Sequence, residues 1–185
     1  PNGLPVDGIF LTHAHVWHYA GLIYLGKESM ASNHVPVWAT TRMAAFLAGN
    51  GPWRRLVDSG HIETRALSPG VATQLADGLS IEALPVAHRE EDSDAVGFLV
   101  RGPSRRLLYI PDIDTWDAWE RRHGRRIERV VEETDVALLD GTFHSPADLP
   151  SRSIAEVPHP MMTDTMERLQ PALFTRRVLF IHLNH

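Results

Sequence analysis

The chain has 185 residues, of which 43% are apolar and 22% are charged, and its formal net charge is −5. This size and balance predict a single globular domain, residues 1–185, with its own hydrophobic core. No apolar run approaches the roughly 18–20 residues of a membrane span, and no signal-peptide pattern opens the sequence. We therefore expect a cytoplasmic protein that does not bind membranes, and the acidic charge balance argues against a nucleic-acid partner.

The chain contains no cysteine but eleven histidines. The absence of cysteine excludes disulfides, thiolate metal sites and a cysteine nucleophile. The high histidine count favours a metal site built from nitrogen and oxygen ligands.

The first part of the chain predicts two strands, each followed by a helix. The run VDGIFLT (6–12) is rich in branched and aromatic residues, which is typical of a buried strand. Apolar residues at helical spacing follow over 19–30, and a short apolar strand is predicted over 35–40. A helix is predicted over 41–51, with Thr40 or Thr41 as its N-cap and a glycine as its stop.

The rest of the chain predicts hairpins and then alternating helices and strands. Apolar and polar residues alternate between turn signals over 61–112, which indicates antiparallel strands. The following patterns predict a helical segment over 115–134 broken at Gly124, a strand over 135–143, a helix over 160–170 and a strand over 176–183. This layout is that of an α/β domain with a mixed sheet, and we expect it to have been cut from a longer chain at both ends.

Three histidines, His13, His15 and His18, follow the first predicted strand within the run LTHAHVWH. Alternate residues at a strand end point the same way, so His13 and His15 can reach one point, and His18 can reach a neighbouring one from the next turn. Zinc is bound by neutral imidazoles at about 2.0–2.1 Å. The spacing therefore predicts a metal site where the first strand ends.

The run THAHVWH resembles the H-x-H-x-D-H signature of the metallo-β-lactamase fold superfamily, which lies between a strand and a helix. Further along, LPVAHRE, LLYIPDID and LFIHLNH resemble the segments that carry the third histidine, the bridging aspartate and the last histidine of that family. The resemblance covers nearly the whole chain. It implies an α/β fold, the metallo-β-lactamase-like αββα sandwich with mixed sheets, and we expect this fold to be truncated at both ends. Within the superfamily, PDIDTWDAW, LLDGTFHS and FIHLNH are most similar to the group of pyrroloquinoline quinone biosynthesis protein B (PqqB).

The resemblance also implies the ligand set and the chemistry. The implied ligands are His13, His15 and His88 for one metal, and His18 and His182 for a second, with Asp112 bridging the two. Such a centre would activate a water molecule and make the protein a hydrolase of a small-molecule ester, amide or phosphodiester. Zn²⁺ is the expected cofactor, in one or two copies, and iron or manganese are alternatives.

Further residues are candidates for catalytic or supporting roles. Asp112 and Asp114 are the candidate catalytic residues. Asp114 is a base just outside the ligands, a substitute ligand, or only the N-cap of the following helix. Asp140 either hydrogen-bonds a ligand imidazole or caps its own loop. His159 and His185 are expected near the pocket, because each lies in or beside a loop that follows a strand.

Trp17 stands where the family signature has aspartate, and an indole cannot ligate a metal. Three possibilities follow. The second site forms without that ligand and Trp17 becomes a wall of the pocket, or the centre holds one metal, or hydrolysis is lost. The alternatives to a hydrolase are thus an iron-dependent oxidative enzyme of quinone cofactor biosynthesis and a non-catalytic protein that binds a metal or a small molecule.

Overall fold

The computed structural model describes residues 6–149, 156–173 and 175–183. The chain divides into two compact units. The first unit comprises Pro1–Pro69 and Glu90–Ala95, and the second comprises Gly70–Arg89 and Val96–His185. No helix within the described ranges is both long and apolar enough to cross a membrane.

The first unit is built on a parallel three-stranded sheet with strand order β1-β2-β3. Its strands are β1 (Ile9–Phe10), β2 (Val35–Ala39) and β3 (Ile62–Ala66). Its helices are α1 (Thr41–Gly49) and α2 (Trp53–Asp58), and two 3₁₀ segments (Val16–His18 and Ala20–Leu25) follow β1.

Helix α1 begins as its sequence predicts, because the Thr40 hydroxyl accepts a hydrogen bond from the Met43 amide. The inward residues of β2 and α1 form the core of this unit, and Val35, Val37 and Met43 are fully buried. The sheet supports the turn that follows β1, which carries the first three candidate ligands.

Three predictions for this unit are wrong in detail. The first strand is only two residues long, since Ile9 and Phe10 pair with β2 and the chain leaves the sheet after a further main-chain bond from the Leu11 amide to the Trp38 oxygen. The segment predicted as a helix over 19–30 is a 3₁₀ helix over Ala20–Leu25. Strand β3 pairs in parallel with β2 rather than in an antiparallel hairpin, because the helices α1 and α2 return the chain to the starting end of the sheet.

The second unit contains a six-stranded mixed sheet with strand order β4-β5-β6-β7-β8-β9. The pairs from β4 to β7 are antiparallel, as predicted, and the pairs β7–β8 and β8–β9 are parallel. The strands are β4 (Ala72–Ala76), β5 (Leu79–Pro85), β6 (Val96–Arg101), β7 (Arg106–Ile110), β8 (Val136–Asp140) and β9 (Arg177–Ile181).

Helices connect the parallel strands of this sheet. Helices α3 (Trp116–His123) and α4 (Ile127–Glu132) lie between β7 and β8, and α5 (Met162–Leu173) lies between β8 and β9. The predicted break at Gly124 is confirmed, since this residue caps α3 with φ +61°. Because β7, β8 and β9 run in parallel, their carboxyl ends meet at one edge of the sheet, and the residues that follow them are neighbours.

Candidate metal centre

In the first unit, His13 and His15 bring two ring nitrogens together beyond the end of β1. Nε2 of His13 lies 3.0 Å from Nδ1 of His15. The other nitrogen of each ring faces a different side chain. Nδ1 of His13 lies 3.1 Å from the Thr12 hydroxyl, and Nε2 of His15 lies 3.4 Å from the Glu91 carboxylate. The two rings therefore present one inward nitrogen each to a common point.

His18 approaches the same place from the 3₁₀ segment that follows. Its ring centroid lies 4.1 Å from that of His13. Trp17, one residue before it, is 89% exposed, so the indole lies in solvent and does not pack in the core. The rings of the three histidines of the motif lie close together, and the indole at the usual aspartate position is exposed.

In the second unit, two histidines converge on Asp112, which follows β7 and is buried. Nε2 of His88 lies 3.3 Å from Oδ2 of Asp112, and Nε2 of His182 lies 3.6 Å from the same oxygen. His88 follows β5 and is also buried, whereas His182 follows β9 and is partly exposed. His182 has φ +59°, a left-handed conformation that is rare for residues other than glycine and that is often found at functional sites.

The second ring nitrogen of each of these histidines is held by another side chain. Nδ1 of His88 lies 3.0 Å from a carboxylate oxygen of Asp114, and Nδ1 of His182 lies 2.9 Å from the hydroxyl of Thr142. Such outer partners fix the orientation of an imidazole and leave its other nitrogen directed at a metal. Asp114 is thus placed in a supporting role. It does not cap α3, because Thr115 does so by accepting a hydrogen bond from Ala118.

His159 and Asp140 support Asp112 from its other side. Nδ1 of His159 lies 2.8 Å from Oδ2 of Asp140 and 3.2 Å from Oδ1 of Asp112. Asp140, fully buried at the end of β8, also accepts hydrogen bonds from the main-chain amides of Ile113 and Thr142 and from the Thr142 hydroxyl. Asp140 therefore holds its own loop and His159 together, and the Thr142 hydroxyl links it to the candidate ligand His182.

Burial and charge act in opposite directions on the two titratable groups beside Asp112. Burial lowers the pKa of His159, but the hydrogen bond to Asp140 and the charges of Asp140 and Asp112 outweigh it, so the pKa of His159 is raised. Burial raises the pKa of Asp114, and the neighbouring His159 and Arg89 only partly offset that rise. Both shifts favour the protonated form of these two side chains.

The donor atoms in each unit fit a metal ion. Four ligands at tetrahedral angles and about 2.0–2.1 Å from zinc are separated by about 3.3 Å from one another. The separations of 3.0 Å between His13 and His15 and of 3.3 and 3.6 Å around Asp112 are close to that value. Imidazole nitrogens with one carboxylate oxygen suit zinc and iron alike.

Three supporting residues were not predicted from the sequence. Thr142 orients His182, Glu91 lies beside His15, and Ser93 contacts the main chain of the histidine turn. Short-range patterns carry no signal for such contacts, because the two partners are 40 to 79 residues apart. The predicted pocket residue His185 lies outside the described residues.

Comparisons with known proteins agree with this arrangement. The model of the beta-lactamase superfamily domain family matches residues 2–183. No curated protein sequence matches the chain significantly. Among solved structures, Zn²⁺-bound PqqB from Methylobacterium extorquens is similar with a TM-score of 0.73 and 20% identity, over 97% of this chain and 60% of that one.

Two other solved structures share the fold. Unliganded yeast PDE1 has a TM-score of 0.63 at 12% identity, over 97% of this chain and 58% of that one. A diphosphatase from the PhnP family has a TM-score of 0.57 at 16% identity, over 97% of this chain and 61% of that one. The chain thus spans about 60% of the length of these proteins. The predicted metallo-β-lactamase fold is confirmed, and the chain belongs to the beta-lactamase superfamily domain family.

Proposed function

We propose that this chain is the metal-binding part of a hydrolase that acts on a small-molecule ester, amide or phosphodiester. The observation that carries the proposal is the convergence of His88 and His182 on one oxygen of the buried Asp112. A buried carboxylate can pair with imidazole N–H groups without a metal, but the approach of two ring nitrogens to one oxygen at 3.3 and 3.6 Å, while separate partners hold their other nitrogens, is also the arrangement of metal ligands.

The proposed ligand assignment follows the order of ligands along the chain in the family. Each unit contributes some of these ligands, and the grouping of ligands from both units around one metal rests on the order of ligands in the family. The proposed ligands are His13, His15 and His88 for one metal, and His18 and His182 for a second, with Asp112 shared between them.

A divalent ion held by such donors activates a water molecule for attack on the substrate. The residues of the chain would position the reacting groups. Asp114 fixes the ring of His88, while His159, held by its hydrogen bond to Asp140, places its Nδ1 3.2 Å from the second oxygen of Asp112. Because Asp112, His88 and His159 are buried, bulk water has little access to these atoms, and their charges act through a low dielectric.

A second candidate function is favoured by Trp17. The exposed indole removes one ligand and one negative charge from the family pattern, which favours a single-metal centre. Such a centre fits an iron-dependent oxidative enzyme, because histidine and aspartate donors suit iron as well as zinc, or a binding protein in which Trp17 stacks on the ligand.

Metal content per chain tests the proposal. We expect the intact, untagged protein to bind one or two equivalents of zinc by elemental mass spectrometry. Variants His13→Ala and His88→Ala, one in each unit, should both lose metal. The matched control is His144→Ala, since His144 is an exposed histidine in a loop of the second unit, and this variant should keep the full metal content.

Activity is then measured with a panel of chromogenic phosphodiesters and carboxylic esters. Hydrolysis that rises and falls with the metal content of these variants would support the hydrolase. Bound iron without hydrolysis would favour the oxidative enzyme, and bound metal without any turnover would favour the binding protein. A folded wild-type chain that binds no metal would contradict all three.

A further inference from the structure

Ser93 contacts the histidine turn at its centre. This serine is 2% exposed and lies in the acidic stretch 90–95 of the first unit. Its hydroxyl accepts a hydrogen bond of 2.8 Å from the main-chain amide of Ala14, the residue between His13 and His15. The chain has already left the sheet at this point, so the Ala14 amide needs a partner outside the ladder. Ser93 provides that partner from 79 positions further along the chain.

Ser93 is itself fixed by a chain of hydrogen bonds. Its hydroxyl donates to the main-chain oxygen of Asp94 at 2.9 Å, so the hydroxyl both donates and accepts and has one orientation. The Asp94 carboxylate accepts a hydrogen bond from the Thr40 hydroxyl. Thr40 in turn caps α1 by accepting from the Met43 amide. The histidine turn is thereby connected to the first turn of α1.

The peptide group at Ala14 determines where the flanking rings lie. His13 and His15 are its two neighbours, and their inward nitrogens are only 3.0 Å apart. A displacement of the main chain at Ala14 would shift both residues that flank it, and with them both rings. A metal site requires its ligand distances to stay within about 0.2 Å. Because the main chain at Ala14 lies between the two histidines, the hydrogen-bond partner of its amide affects both ligands together.

We propose that Ser93 is a positioning residue for the metal site. Through its hydrogen bond with the Ala14 amide, Ser93 holds His13 and His15 at ligand spacing. Asp94 and Thr40 hold Ser93 in turn. This inference rests on the proposed function, in which the two histidines are ligands of one ion. Ser93 therefore supports the metal centre from the stretch 90–95, although it is not itself a ligand.

The test compares zinc affinity in four proteins by competition with a chromogenic chelator. Ser93→Ala removes the acceptor, and Ser93→Thr keeps a hydroxyl at the same place. Ser32→Ala is the matched control, because Ser32 is a buried serine of the same unit whose hydroxyl has no hydrogen-bond partner among the described residues. We expect Ser93→Ala to weaken zinc binding about 10-fold or more, the effect typical of lost outer-shell support, and the other two variants to bind as the wild type does.

A spectroscopic measurement separates positioning from stability. The visible absorption of the Co²⁺-substituted protein reports ligand geometry, and we expect it to change in Ser93→Ala and to be restored in Ser93→Thr. Thr40→Val, which removes the far end of the hydrogen-bond chain, should weaken zinc binding in the same direction but less, and it serves if Ser93→Ala does not fold.

Two results would overturn the inference in distinguishable ways. Unchanged zinc affinity and an unchanged cobalt spectrum in Ser93→Ala, with only a lower melting temperature, would show that Ser93 is structural and would leave the proposed function intact. A wild-type chain that binds no zinc or cobalt would overturn the proposed function together with the inference.

Discussion

Replacing Asp140 by asparagine tests the arrangement around Asp112 most directly. Oδ1 of Asp140 accepts from the amide and the hydroxyl of Thr142, and Oδ2 accepts from the Ile113 amide and from Nδ1 of His159. Asparagine has one oxygen and one NH₂ group. In either orientation of the new side chain, two of the four donors would face the NH₂ group and lose their acceptor.

The structure sets the expected size of the effect. Asp140 is fully buried, so water cannot replace the two lost acceptors. At about 1–2 kcal/mol for each, Asp140→Asn should lower the free energy of unfolding by about 2–4 kcal/mol. For a chain of this length that corresponds to a fall in melting temperature of about 5–15 °C.

The assay is urea unfolding followed by tryptophan fluorescence, with both proteins freed of metal by a chelator so that lost metal binding does not contribute. Asp117→Asn is the matched control. Asp117 pairs with Arg168 at 2.7 Å, but its side chain is 68% exposed, and such surface pairs contribute less than about 1 kcal/mol. If Asp140→Asn costs no more than Asp117→Asn, the hydrogen bonds assigned to Asp140 are not present as described.

Three further substitutions test other parts of the molecule. Trp17→Asp restores the family ligand and should raise the occupancy of the second metal in elemental mass spectrometry; unchanged occupancy would mean that residue 17 does not stand at a ligand position. Thr165→Val removes the 2.8 Å partner of the buried Trp116 indole and should cost about 1–3 kcal/mol in urea unfolding, whereas a cost near zero would show that the indole finds another acceptor. Gly97→Ala would place a Cβ 2.7 Å from a main-chain oxygen of β7 and should cost about 1–3 kcal/mol or more. Gly49→Ala is the control, because there is open space around a Cβ at Gly49, and it should leave the free energy of unfolding unchanged or slightly raised. Equal effects of the two substitutions on that free energy would refute the close approach at Gly97.

The sequence predicts most of the regular elements of the second unit. Alternation gives the antiparallel strands β4 to β7, and the positive φ of Gly124 ends α3 as its position suggests. The spacing of His13, His15 and His18 after an apolar run predicts a metal site by itself, whereas His88, Asp112 and His182 are candidate ligands only through the resemblance to the family. The relation between β2 and β3 could not be predicted in this way, since alternation within one strand does not report the direction of its neighbour.

The supporting contacts are the least predictable part of the candidate site. Asp114 and Thr115 are both acceptable N-caps by residue type, and only the position of His88 beside Asp114 distinguishes their roles. Ser93 lies within a run of charged residues that is typical of an exposed loop, yet it is buried. Its role depends on a contact across the chain that composition and periodicity do not encode.

The position of β9 has a consequence for how the protein is made. Strand β8 remains an open edge, with unpaired main-chain groups, until residues 177–181 pair with it. The same stretch brings in His182, which lies 40 residues beyond its partner Thr142. During synthesis on the ribosome, the edge of β8 and the surroundings of Asp112 are therefore completed together, when residues 177–182 emerge and dock. A nascent or prematurely terminated chain without these residues would lack both the partner of β8 and the side chain of His182.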